Sequence, residues 1–197
     1  MAASTNLCGL ANVKIYLGVS ETTYNYLLNL LIAAVSEATE KYCNREFASA
    51  SHVEYHDGLG LDYIMVKNPP ITAIASLYDD PNREYNADNL LDADDAYIYY
   101  GDEGRVQLVN GRIFYDGSKN VKVTYTGGYS AIPDDVEQAA IHLTAKLFNI
   151  SRKRADGLAS ESLGSYSYSL ASTRNLIIGD GLVETLLGAY RIPAIGV

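Results

Sequence analysis

The hydrophobic period of this chain changes twice, and that change restricts its fold more than any other feature. Tyr24, Leu27, Leu28, Leu31, Val35, Ala38 and Tyr42 recur at spacings of three and four, the stripe of one helix face, which Leu30 and Ile32 widen. Over 51–129 the period falls to two, the repeat of strands whose side chains alternate between faces. From Pro133 the helical repeat returns with Val136, Ala140, Leu143, Leu147 and Ile150. Helix, strands, helix in that order predicts an α+β fold, a helical core of three to four helices with an inserted antiparallel β subdomain. The expected divisions are 1–50 for the first helical part, 51–129 for the β subdomain and 130–157 for the second long helix. A Ser/Tyr-rich arm over 158–179 and a C-terminal helix with its tail over 180–197 complete the chain.

Turn residues punctuate this pattern. A short helix over 12–17 should stop at Gly18, Ser20 stands as an N-cap for the long helix with Glu21 in its first turn, and Asn44 suits its C-terminal stop. His52 to His56 alternates as a strand, 61–66 and 71–78 read as further extended runs, and Asn68-Pro69-Pro70 separates them. Asn110-Gly111 is a strong hairpin signal, predicting that 105–109 pairs with 112–114. Strand 121–125 closes the block. Pro133, with Asp134 and Asp135 behind it, opens the second long helix, and a last helix runs over 180–190 until Pro193.

At 197 residues the chain can bury roughly 70% of the surface its unfolded form exposes, enough for a self-standing core. No run of about 18 apolar residues and no charged-then-apolar leader is present, so a soluble, non-secreted protein without membrane contact is expected. Fifteen basic against 24 acidic residues give a formal charge of -9, which argues against tight nucleic-acid binding. An acidic wall could still let a polyanion slide past without trapping it. Cys8 and Cys43 lack CxxC spacing and read as two reduced thiols. Seventeen tyrosines with no tryptophan lean weakly toward subunit contacts, where an apolar ring and a wet hydroxyl both find use.

The constellations that could carry chemistry are weak, and no catalytic residue, metal ligand or cofactor is assigned. There is no GxSxG elbow and no Walker loop, and Gly58-Leu59-Gly60 lacks a third glycine and a following helix. His52 and His56 would be about 13 Å apart along a strand, so exposed strand histidines are preferred over a metal pair. Between Tyr78 and Gly104 the carboxylates Asp79, Asp80, Glu84, Asp88, Asp92, Asp94, Asp95, Asp102 and Glu103 face a single Arg83. A solvated loop is the plain reading. An EF-hand fails because Ala96 and Tyr97 stand where a ligand and a glycine belong. The functional alternative has Asp92, Asp94 and Asp95 lining or rimming a DNA passage. Over 160–172 serines interleave with Leu163, Tyr166, Tyr168 and Leu170; the residues alone leave a linker and an anchoring arm equally open.

The order of these features resembles the head-tail connector family of tailed phages, also called head-completion or adaptor proteins. The residues that carry it are Val13-Lys14-Ile15-Tyr16-Leu17-Gly18 before the long helix and Tyr42-Cys43-Asn44-Arg45-Glu46-Phe47 at its exit. Further on come Pro69-Pro70-Ile71, then Val123-Thr124-Tyr125-Thr126-Gly127-Gly128-Tyr129 ahead of Ile132-Pro133, the most specific of these marks. The Ser/Gly segment 160–167 and the closing Leu186-Leu187-Gly188-Ala189-Tyr190-Arg191 complete the match.

The resemblance implies a structural protein of the virion's head–tail interface, met in the bacterial host cytoplasm during assembly, and not an enzyme. It implies a dodecameric ring, a homo-oligomer under the portal protein, holding a stopper or tail-completion protein on its other side. Viral DNA would pass through the channel without specific binding. It also favours the arm over the linker, with Leu163, Tyr166, Tyr168 and Leu170 reaching a neighbouring subunit. The tail, with Arg191, Ile192, Pro193, Ile195 and Val197, would grip the portal. Two rival readings are a small metal-dependent hydrolase or nuclease using the Asp92–Asp95 carboxylates and a monomeric binding module built on the β block.

Overall fold

The computed structural model describes residues 6–155, 160–163, 166–169 and 180–192. Helices and antiparallel strands divide it into two compact units, one made by 1–45 with 132–197 and one by 46–131.

The first unit holds helices α1 (Leu10–Leu17), α2 (Asn25–Cys43), α3 (Asp134–Ala155) and α4 (Gly181–Gly188). Gly18 ends α1 at φ 67, a left-handed conformation that costs glycine little. Ser20 does not cap α2. The chain first makes a turn in which Asn25 N donates to Thr22 O (3.0 Å), and Tyr24 stands at the cap position without a side-chain bond. At the other end Asn44 adopts φ 55 and Arg45 N donates back to Glu40 O (3.1 Å), which closes the helix.

The buried stripe of α2 is Leu28, Ile32, Val35, Ser36, Thr39 and Cys43, whereas Leu30 is 52% exposed and Ala38 faces outward. The stripe lies where α1 and α3 pack on α2, so two hydroxyl residues sit inside and two apolar ones outside. Ser36 is tolerated because its Oγ accepts from Leu7 N (2.9 Å) and donates to Ile32 O (2.8 Å), tying the N-terminal segment to the helix.

In α3 the Pro133 carbonyl accepts from Val136 N (3.0 Å) and Glu137 N (2.9 Å), with three carboxylates in the first turn at the positive end of the dipole. Val136, Ala140 and Leu143 are buried as the period predicts, but Phe148 takes the inner position while Leu147 and Ile150 are half-buried. The Phe148 ring meets Tyr24 edge-on with centroids 5.2 Å apart. Strands β7 (Ser160–Leu163) and β8 (Tyr166–Ser169) form a two-stranded antiparallel sheet.

The second unit consists of β1 (Ala50–Gly58), β2 (Tyr63–Met65), β3 (Ile71–Asp79), β4 (Tyr97–Tyr100), β5 (Arg105–Leu108) and β6 (Gly117–Gly127). They make two antiparallel three-stranded sheets, ordered β1-β6-β3 and β2-β5-β4. Ile64, Tyr97, Val106 and Leu108 of the smaller sheet share one core with Leu77, Phe114, Val121, Val123 and Tyr125.

The hairpin expected from Asn110-Gly111 is half right. Both residues have positive φ (58 and 73), as a type I′ turn requires. The residues after the turn do not pair with β5, because β2 and β4 already flank it; Phe114 instead enters the core and its N donates to Leu61 O (2.8 Å). Among the described residues, no helix is long and apolar enough to cross a membrane.

Candidate functional site

One polar cluster of the second unit lies on the inner side of β1. Pairing across the ladder places His52 opposite Tyr125, Glu54 opposite Val123 and His56 opposite Val121, so these three polar residues share the inner face while Val53 and Tyr55 point out. The histidines are therefore half-buried, not exposed. They persist there because each has a partner: His56 Nε2 lies 3.0 Å from Glu54 and His52 Nδ1 lies 3.3 Å from Asn68 Nδ2.

Glu54 also accepts from the Tyr125 hydroxyl and from Lys67 N (3.1 Å), while Asn68 N donates to that same hydroxyl (3.1 Å). Burial works to raise the Glu54 carboxyl, but the bonds from His56 and Tyr125 outweigh it and hold the group below its usual range. Burial, reinforced by the Glu54 charge, drives the Tyr125 phenol far upward. With both oxygens of Glu54 engaged, the cluster fastens 67–68 to the sheet.

The acidic run separates into structural and exposed members. Asp79 and Asp80 are buried, contrary to a wholly solvated loop. Asp79 accepts from Tyr115 N (3.0 Å) and Asn120 Nδ2 (3.3 Å), and burial raises its carboxyl. Asp80 accepts from the backbone N–H groups of Asn82, Glu84 and Tyr85 at 2.7–2.8 Å; these overcome the effect of burial and lower its carboxyl. Asp92, Asp94 and Asp95 are exposed in the turn before β4, where the Asp92 carboxylate accepts from Asp94 N (3.0 Å). Among the described residues no group of three His, Cys, Asp or Glu side chains could hold a metal ion.

In the helical unit a polar chain joins three helices. The Tyr16 hydroxyl is 3.1 Å from His142 Nδ1, His142 Nε2 is 3.3 Å from Asp180 Oδ2, and Lys146 Nζ donates to the same oxygen at 2.8 Å. Asp180 also caps α4 through Val183 N (3.4 Å). Burial would raise its carboxyl, but the Lys146 bond, the Val183 N–H and the charge of Lys146 bring it below its usual value. None of this was read from the sequence; Asp180 ahead of an apolar run was the available signal. Beside the chain, α1 and α3 border a groove of about 380 Å³ lined by Ile15, Tyr16, Asp134, Glu137 and Ile141. Ile15 is 79% exposed there, and Tyr26 on α2 is 77% exposed.

The residues assigned to arm and tail fall as follows. Leu163 pairs with Tyr166, and Tyr168 with Glu161, in the β7–β8 sheet; Leu170 lies outside the described residues. Arg191 stacks over the Tyr42 ring at 5.1 Å and Ile192 N donates to Cys43 O (3.0 Å), so the chain is tied to the end of α2 up to this point. Pro193, Ile195 and Val197 lie outside the described residues. Cys8 and Cys43 are free and buried, and burial lifts each thiol to about 11.

Three chains of known structure share the fold. One belongs to the neck of an empty GTA particle computed with C6 symmetry; it matches with a TM-score of 0.61 and 14% identity over 100% of this chain and 96% of that one. Another, from the neck of a native GTA particle computed with C12 symmetry, gives 0.54 and 14% with the same coverage. A third, from the virion of a native gene transfer agent particle, gives 0.58 and 14% over 98% of this chain and 93% of that one. No curated protein matches the sequence. The family model described as "Head completion protein" matches residues 6–191, and the chain accordingly belongs to the head completion protein family.

Proposed function

We propose that this chain is a non-enzymatic structural subunit that joins copies of itself into a ring between head and tail. Beneath a portal, the ring would extend the DNA channel and offer a stopper or tail component its attachment site. The observation that carries this is the family match across residues 6–191, which gives the chain a structural connector role. The fold it shares with neck chains computed with C12 and C6 symmetry supports a closed ring, for which we propose twelve copies. A ring needs a heterologous contact, one face of a subunit against a different face of the next. The exposed Ile15 and Tyr26 on α1 and α2, together with the β7–β8 arm, supply candidates for those faces.

A formal charge of -9 suits a channel subunit that DNA passes without sticking. Asp92, Asp94 and Asp95 are the exposed carboxylates we assign to such a wall or rim. The metal-dependent hydrolase draws no support from their geometry. The purified chain, imaged by electron microscopy alone and mixed with its portal protein, should give rings in at least the mixture. Monomers under both conditions would overturn the proposal.

A further inference from the structure

The two sheets of the 46–131 unit differ in what covers their outer faces. On β1-β6-β3, the Lys122 ammonium lies 5.9, 5.6 and 5.3 Å from the ring centres of Tyr55, Tyr78 and Tyr85, a cation–π cluster that draws the 80–85 loop over part of the sheet while Val53 and Tyr55 stay about half exposed. On β2-β5-β4 the outer face is open. Its ladder sets Tyr63, Gln107 and Ile98 in one cross-strand row and Met65, Arg105 and Tyr100 in the next. Each row has a polar centre between two apolar side chains, and those four apolar residues are 38–47% exposed. The face continues into a shallow groove of about 650 Å³, where Leu61 and Ile113 are also exposed. Exposed apolar side chains grouped on one face, here on both sides of Gln107 and Arg105, are the kind of feature that marks an interaction surface.

Charge narrows the partner. Residues 46–131 carry fourteen Asp and Glu against six Lys and Arg, a formal charge of -8 out of the chain's -9. Around the open face stand Asp62 on the groove, Asp95 beside Asn110 at the groove's end, and Asp102 and Glu103 in the β4–β5 turn. Of the two cations nearby, Arg105 lies 3.2 Å from Glu103 and 4.1 Å from the Tyr100 ring centre, while Arg112 remains on the groove wall. A second copy presenting this same face would bring the same acidic rim against it, and a polyanion such as DNA would be repelled. We propose that the outer face of β2-β5-β4 docks a different protein, through a segment of that partner that is apolar at its centre and flanked by lysine or arginine. This surface is separate from the faces proposed above for the ring, so its failure in a test leaves the ring reading standing.

The probes are two synthetic peptides with one apolar, aromatic-containing centre, flanked in one by lysines and in the other by glutamates. Each is titrated into the methyl-labelled full chain. Signals of Leu61, Met65, Ile98 and Ile113 should move with the lysine-flanked peptide while Leu77 and Val106, buried in the core, stay in place. That peptide should bind at least about tenfold more tightly than its counterpart, with the preference shrinking as salt is added. Ile98→Ser, at an exposed position that leaves the core intact, should weaken binding about fivefold. Equal binding of both peptides, no movement of the four signals with either, or concentration-dependent self-association abolished by Ile98→Ser would each overturn the proposal.

Discussion

At the scale of single residues, the 46–131 unit depends on a phenol that donates its proton to a carboxylate. Tyr125 donates to Glu54 and accepts from Asn68 N, so Tyr125→Phe removes a donor from a largely buried carboxylate and an acceptor from a buried N–H in one step. Losing both should cost about 2 to 3 kcal/mol of stability, measured by chemical denaturation. The sign of the accompanying pH effect follows from the lowered Glu54 carboxyl. Its contribution is complete above the ordinary carboxylate range and drains away as pH falls through the lowered value, so the variant should lose less stability in acid than the parent does. A variant as stable as the parent, with the same acid sensitivity, would remove the cluster from the account. Little of this was legible beforehand: alternation located β1, but strand period does not say which of its two faces is inner. Here His52 and Glu54 went in because long-range partners at 67, 68 and 125 hold them, and His56 because Glu54 on its own strand does.

At the scale of elements, α4 is an eight-residue helix, too short to hold itself together, and it stays in place through packing on α3 and through Asp180. Lys146 and His142, one turn apart on α3, converge on that carboxylate while it caps α4. Asp180→Asn keeps a capping side chain but removes the anion, and should cost about 1 kcal/mol. Amide exchange over 181–188 should speed up accordingly. The lowered Asp180 carboxyl stabilises α4 above the usual carboxylate range and stops doing so as pH falls through its lowered value. Exchange in the parent should therefore accelerate in acid and that of the variant should change less. Equal exchange in the two proteins at neutral pH would sink this assignment. Element types were largely readable here: Gly18, Asn44 and Pro133 mark real helix ends, and Asn110-Gly111 is a real turn. Pairing was not. Strand β4 sits unmarked behind Asp92-Ala93-Asp94-Asp95, and β5 takes β2 and β4 as its neighbours through contacts that no local turn signal encodes.

At the scale of the whole molecule, the change of hydrophobic period that separates helices from strands also separates charge. The 46–131 unit carries nearly all of the net negative charge and the helical unit is close to neutral. A helical unit of low net charge can pack against copies of itself without strong repulsion, which suits the surface that a ring must bury. Where such a ring would meet the portal is the remaining step. The family resemblance makes the tail the candidate, and because Arg191 and Ile192 are held by Tyr42 and Cys43, we propose that the gripping falls to Pro193, Ile195 and Val197. Deleting 193–197 should leave amide exchange in α4 unchanged, since the contacts at 191 and 192 survive, and should abolish co-sedimentation with portal protein. Docking at parental strength by the shortened chain would move the portal contact elsewhere. Loss of docking together with rapid exchange in α4 would instead mean that the tail acts by holding the helix, a role that Asp180→Asn would then reproduce.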